Sequence, residues 1–310
     1  MAYPWGAQGH AAIGLVAEQR LTPSTRAHVE RILGNDDLAS IASWMDEVIG
    51  APKGFGPLAG SREAHDFAQQ FPHSNVWHYV NLPLGETRYA DDDPFARKDD
   101  VVHQLNTAIR VLDGTSTVVS PKVALYMVVH FVGDLHQPLH VGCGYYDLSN
   151  LSRPQLITDP QAALGKDSDA GGNLLKYGND RWDELHGYWD IVLPQKVAGS
   201  KDAPVLAQKI ARQIRAEAWT TSGDYHTWAE QWATESLLAA RQAYAGIQFG
   251  EAGIQDGKLR SLRIQLPAGY DAVAVPIAAQ RLAQAGFHLA ELLNAIQWPD
   301  APVASPATAP

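Results

Sequence analysis

The stretch LYMVVHFVGDLHQPLHVG, from Leu125 to Gly142, decides how the chain is read. Met127, Val128, Val129, Phe131, Val132 and Leu135 leave no polar face, so the pattern predicts a buried helix. His130 and Asp134 are four residues apart, and a helix stacks them on one face. Pro138 removes a backbone donor and restricts Gln137, so the helix should end there, with His140 on the turn pointing back to the same region. Burying such groups is costly unless something satisfies them. A metal ion would do so, because neutral imidazole nitrogen and carboxylate oxygen are ordinary zinc ligands. One histidine in such a run would read as a core residue hydrogen-bonded to its neighbours. A cluster shifts the reading towards ligation.

The chain has 310 residues and enough apolar content for a large core. Its formal charge is −10, with no Lys/Arg block that could track a nucleic-acid backbone. That argues against electrostatically driven binding to nucleic acid, unless bound divalent cations reverse the local sign. The single Cys143 excludes an intramolecular disulfide. No run approaches the roughly 20 apolar residues of a membrane span. The opening MAYPWG carries no visible secretory signal, which fits a cytoplasmic protein or a mature form given a start Met.

Working outward, Ile13, Val16, Ala17 and Leu21 predict a first helix to about Leu21. Thr22-Pro23 is a cap followed by a helix-compatible proline, opening a helix to Gly34. Residues 38–49 read as a third helical segment, followed by a Gly/Pro-rich loop over 51–63. NVWHYVNLP at 75–83 reads as a short extended element, and ADDDP at 90–94 as a solvated turn. Helices follow over 101–112, from the Ser120-Pro121 cap through the central stretch, and over 183–193, 203–217, 226–247 and 274–296. Residues 144–172 read as an irregular loop, of the length that is usually functional or mobile. Asn173–Gly178 and RSLRIQLPAGY each read as one strand. The expected fold class is mainly α, a single-domain multi-helix bundle with a few short strands. The Pro/Ala-rich tail 300–310 reads as disordered.

Further ligand candidates are His10, Asp46, His78, His186 and Asp190, each in an apolar or aromatic setting. His186 and Asp190 repeat the four-residue spacing of His130 and Asp134, and such pairs on separate helices can converge in a bundle. With His140 these make eight side chains, more than one tetrahedral zinc needs. Nitrogen and oxygen ligands without cysteine fit a catalytic centre better than a closed structural one. His28, His65, His73, His103, His226 and His288 have polar or unpatterned surroundings and read as ordinary histidines. His136 lies two residues from Asp134 and points off that face, so it reads as a packing or supporting residue.

In order along the chain stand WGxxGH, SWMDE, WHYVN, HFVGDLHQPLHVG, GGN and LHGYWD. Together they resemble the zinc-dependent single-strand-specific nucleases of the S-one/P-one type, over Trp5 to about Trp298. The resemblance implies the mainly helical phospholipase C / S-one–P-one fold, with residues 5–299 as the nuclease domain and 1–4 as an extension. It implies three zinc ions: one on Asp46, His78, His130 and Asp134, a second on His140, His186 and Asp190, and a third on the Trp5 backbone, His10 and Asp134. Asp134 would then bridge two ions, whose shared water becomes a hydroxide that attacks phosphorus, with Asp46 orienting the nucleophile. Tyr79, Asn81 and Asn173 would bind the substrate base, and stacking on an aromatic ring favours unpaired bases. The implied substrates are single-stranded DNA and RNA, cut to 5′-phosphorylated products, and 3′-nucleotides. The implied location is secreted or periplasmic.

Two departures matter. Residues 1–4 precede Trp5, whose nitrogen is then an amide of little ligand strength, so the third zinc should bind weakly while they persist. Ile49 stands where many members carry an arginine. The rival readings are a zinc phospholipase C, whose pattern has Glu where this chain has Asp190, and a non-catalytic zinc-binding helical protein.

Overall fold

Every residue from Val123 to His136 in the central helix Pro121–His136 is buried. Ser120 caps it by accepting the Val123 N–H, and the chain leaves the helical path at Gln137, before Pro138, as the proline demands. A helix apolar all round must be covered on every side. The long helices Gly6–Glu18, Val101–Leu112, Trp228–Tyr244 and Tyr270–Ala295 all pack against it, joined by shorter ones such as Trp44–Glu47. The computed structural model describes residues 5–180 and 183–299, and the predicted extension 1–4 and tail 300–310 lie outside them. Buried apolar side chains from Trp5 to Ile296 form one connected core around the central helix.

Among the described residues, three small sheets decorate this bundle. Leu82–Pro83 pairs in parallel with Gly142–Cys143, and the adjoining Val80 N–H donates to the His140 carbonyl at 2.9 Å. These contacts tie the His78 segment to the turn that ends the central stretch. Tyr145–Asp147 is the middle strand between Gln155–Ile157 and Asp167–Ser168. Lys258–Gln265 lies between Gln248–Gln255 and Leu175–Lys176.

Several local expectations need correction. Residues 38–49 form two short helices, Leu38–Ile41 and Trp44–Glu47, because the Ala42 carbonyl between them accepts a hydrogen bond from the His130 ring instead of continuing the ladder. Residues 75–83 are mostly turn after a 3₁₀ turn at Ser74–Val76, with only Leu82–Pro83 extended. The loop read over 144–172 holds a three-stranded sheet whose strands are too short to show alternation. The helix Arg62–Gln70, capped by Ser61, has no counterpart in the sequence reading. The strand over 258–265 has an unanticipated partner, since the helix read to 247 stops at Tyr244 and the chain turns into Gln248–Gln255. Among the described residues, no helix is long and apolar enough to cross a membrane.

Candidate metal centre

Asp134 is fully buried, and its two oxygens face different partners. Oδ2 lies 2.9 Å from His78 Nδ1 and 3.2 Å from His130 Nε2. Oδ1 lies 3.3 Å from His10 Nε2 without a hydrogen bond between them. Asp46 reaches the same place from the short helix Trp44–Glu47, with Oδ1 3.6 Å from His130 Nε2 and 3.7 Å from His78 Nδ1. The His10 and His130 rings stack with centroids 4.2 Å apart. Gly133 makes room for this, because a Cβ there would sit 2.7 Å from the His10 ring. Glycine inside a helix costs roughly 1 kcal/mol relative to alanine, so its use here follows from close approach.

An adjoining group contains His140, His186 and Asp190. His186 lies in the turn Leu185–Gly187, and Asp190 in the π-helical turn Tyr188–Val192 that follows. Such widened turns are common at functional sites because they re-aim side chains. His186 Nε2 stands 3.1 Å from Asp190 Oδ2, and the His140 and His186 rings have centroids 4.9 Å apart. Asp190 Oδ1 accepts from Gln137 Nε2 at 2.6 Å and from the Trp5 backbone N–H at 3.3 Å, which turns Oδ2 towards the histidines. The Trp5 carbonyl accepts from Gly9 N, and Trp5 itself is fully buried.

The hydrogen bonds behind the cluster set the ring tautomers. Nδ1 of His130 donates to the Ala42 carbonyl at 2.7 Å, Nδ1 of His140 to His78 at 2.6 Å, and Nδ1 of His186 to Gly171 at 2.7 Å. Each ring therefore presents Nε2 inward, the arrangement by which outer partners orient metal-ligating histidines. Buried atoms without hydrogen-bond partners then concentrate here: both His10 nitrogens, His78 and His140 Nε2, Asp46 Oδ2, Asp134 Oδ1 and Asp190 Oδ2. Unsatisfied buried groups are expensive, so this concentration fits residues that share one or more cations.

Protonation follows the same geometry. Burial lowers His10 to about 4, helped by His130, and burial also lowers His140 to about 4. Burial opposes protonation of His130 and His186 as well, yet Asp134 and Asp46 raise the first to about 9 and Asp190 raises the second to about 9. Burial pushes Asp46 up, whereas the surrounding histidines overcome burial at Asp134 and hold it well below the usual carboxylate range. A cation at the cluster competes with protons for His130 and His186.

The remaining sequence candidates occupy the flanks. Tyr79 is half-buried, with the Arg97 guanidinium 5.3 Å from its ring centroid. Asn81 adopts φ 66°, and its carbonyl accepts from Tyr145 Oη at 3.0 Å. Asn173 donates to the Ala170 carbonyl at 2.7 Å. Ile49 packs against the core and brings no charge. His136 faces away, towards His288. The sequence reading missed Ala42, Gln137 and Gly171. A buried amide in an apolar stretch could have exposed Gln137; the other two act through carbonyls, which residue identity does not announce.

A helical bundle that gathers histidine and aspartate donors with lone pairs to spare defines a candidate metallohydrolase. The S1/P1 nuclease family model matches residues 5–297, and the chain belongs to that family: it is a hydrolase that cleaves nucleic acid. It is 28% identical to nuclease P1 of Penicillium citrinum, over 94% of this chain and 97% of that one. It is 26% identical to endonuclease 4 of Arabidopsis thaliana, over 94% and 89% of the two chains. Nuclease S1 of Aspergillus oryzae is 22% identical over 96% and 93%.

Proposed function

We propose that this nuclease is a zinc-dependent phosphodiesterase that cuts single-stranded DNA and RNA to 5′-phosphorylated products and acts on 3′-nucleotides. The observation that carries the reading is the convergence of buried donor atoms that lack hydrogen bonds, backed by imidazoles anchored through Nδ1. Asp46, His78, His130 and Asp134 would hold one ion, and His140, His186 and Asp190 a second. The Trp5 backbone, His10 and Asp134 would hold a third, the two oxygens of Asp134 suiting it to bridge. Bound zinc supplies acidity for a water nucleophile near neutral pH and neutralises phosphate charge.

The chain's own residues do the positioning. Asp46 Oδ2, free of hydrogen bonds, orients the attacking water. The Tyr79 ring stacks an unpaired base, with Asn81 and Asn173 beside it, so duplexes are poor substrates. Residues 5–299 act as one catalytic unit, and we place the enzyme in a secreted or periplasmic setting, as the family resemblance implies.

The test is elemental analysis with assays on single-stranded DNA, RNA and 3′-nucleotides before and after chelation. Zinc near three equivalents and chelator-sensitive cleavage are expected. Phosphocholine release beside nucleic-acid cleavage would add a phospholipase activity, and cleavage that survives removal of zinc, or that takes duplexes as readily as single strands, would overturn the reading. A chain starting at Trp5 should bind more zinc and cleave faster than one retaining residues 1–4.

A further inference from the structure

Asp169 is a fully buried carboxylate outside the donor clusters. Its Oδ1 accepts from Gly172 N at 2.9 Å, Tyr244 Oη at 3.0 Å, Gly144 N at 3.3 Å and Cys143 Sγ at 3.3 Å. Its Oδ2 accepts from Tyr146 Oη at 2.8 Å, with Tyr244 Oη also at 3.1 Å. No cation is among these partners; neutral donors alone compensate the burial, which still pushes the carboxyl above its ordinary range. A buried carboxylate gripped on both oxygens is a rigid anchor, and its cost calls for a purpose.

The purpose lies in the next three residues. Ala170, Gly171 and Gly172 have φ of 55°, 63° and 85°, three left-handed residues in succession. An alanine there is strained and persists only where its surroundings impose it. This curl brings the Gly171 carbonyl to His186 Nδ1 at 2.7 Å and the Gly172 carbonyl to the His186 backbone N–H at 3.3 Å. It also lays Gly171 on the turn carrying His140: a Cβ at Gly171 would sit 2.3 Å from the Leu139 carbonyl. One buried charge thus sets the loop that orients His186 and abuts His140.

We propose that Asp169 is the positioning residue of the His140–His186–Asp190 site, setting its hold on a divalent cation through the Gly171 carbonyl. This rests on the reading that the three residues bind zinc. Loss of an outer partner that orients a ligating histidine lowers metal affinity by about 10- to 100-fold.

The test uses the full chain loaded with zinc and measures release to a chelator, equivalent by equivalent, beside thermal melting. Asp169→Asn places an amide N–H among donors, and it should speed release of one equivalent by about 10- to 100-fold, leaving the others at the wild-type rate. His186→Ala should remove the same equivalent outright. Tyr146→Phe and Tyr244→Phe, each deleting one hydroxyl from the carboxylate, should give smaller losses of that equivalent and keep the comparison open if Asp169→Asn does not fold. Unchanged release in Asp169→Asn and both tyrosine variants, or release of all equivalents in parallel with a lowered melting temperature, overturns the role of Asp169. Full zinc content in His186→Ala instead overturns the reading of the site itself.

Discussion

Two histidine clusters hang from the same central helix, and they differ in where their nitrogens go. Around His130, whose Nε2 faces Asp134 and His78, the rings of His10, His78 and His140 keep buried nitrogens without a hydrogen bond. His136, six residues on, has both nitrogens engaged: Nδ1 with the Val132 carbonyl at 2.8 Å, and Nε2 with His288 Nδ1 at 2.7 Å. His288 Nε2 closes the chain on the Trp219 carbonyl at 2.8 Å, and its ring stacks on Trp232. Burial and the nearby Arg281 push His136 well down and bring His288 to about 3. Because each ring already donates to a carbonyl, the contact between the rings is a hydrogen bond only when one of them carries a second proton. Arg281 is itself buried and donates to the His136 carbonyl at 3.2 Å, satisfying the end of the central helix. Burial therefore does not separate a structural histidine from a candidate ligand. The concentration of unpartnered donor atoms and carboxylates around the ring does.

Three substitutions break or sharpen that contrast. The largest effect is expected from Asp134→Asn, which replaces the carboxylate shared by three histidines. Nucleic-acid cleavage should fall by about 1000-fold, or roughly 4 kcal/mol of barrier, with loss of bound metal; near-normal turnover would remove Asp134 from the centre of the site.

Gly133→Ala comes next. The added methyl meets the His10 ring, so activity should drop by about 10- to 100-fold through displacement of one ligand. Melting should change little, since overpacking of about 1–3 kcal/mol is partly offset by a helix gain near 1 kcal/mol. An unaltered rate together with unaltered metal content would show that His10 does not matter there.

The smallest functional effect belongs to His288→Ala. It leaves His136 Nε2 and the Trp219 carbonyl without their partner, and stability should fall by about 1–3 kcal/mol, read from denaturant midpoints. Metal content should not change. Loss of metal would mean the two clusters are coupled through the helix.

Much of the candidate site was legible because its chemistry is written in side chains at helical spacing. His130 and Asp134, and His186 and Asp190, could be paired from position alone. Even so, the second pair meets across a π-helical turn that spacing does not foresee. The histidine donors that orient the site rest on the carbonyls of Ala42, His78 and Gly171, and any residue supplies a carbonyl. The same limit applied to the fold. Long helices with capping residues, such as Val101–Leu112 and Pro121–His136, were readable, and the strand read over 173–178 contains Leu175–Lys176. The two- and three-residue strands over 142–168 were not, because no period fits inside them.

What the amino-acid sequence determined by itself was a mainly helical chain with a buried central helix, and the residue types able to form a metal centre. Those follow from local periodicity and from the cost of burying polar atoms. Only the tertiary structure decided which carboxylate oxygen faces which ring, that Gly133 yields to His10, and that His136 finds His288 instead of the site. These depend on distances between segments far apart in the chain, such as the 152 residues that separate His136 from His288. No local pattern carries that information.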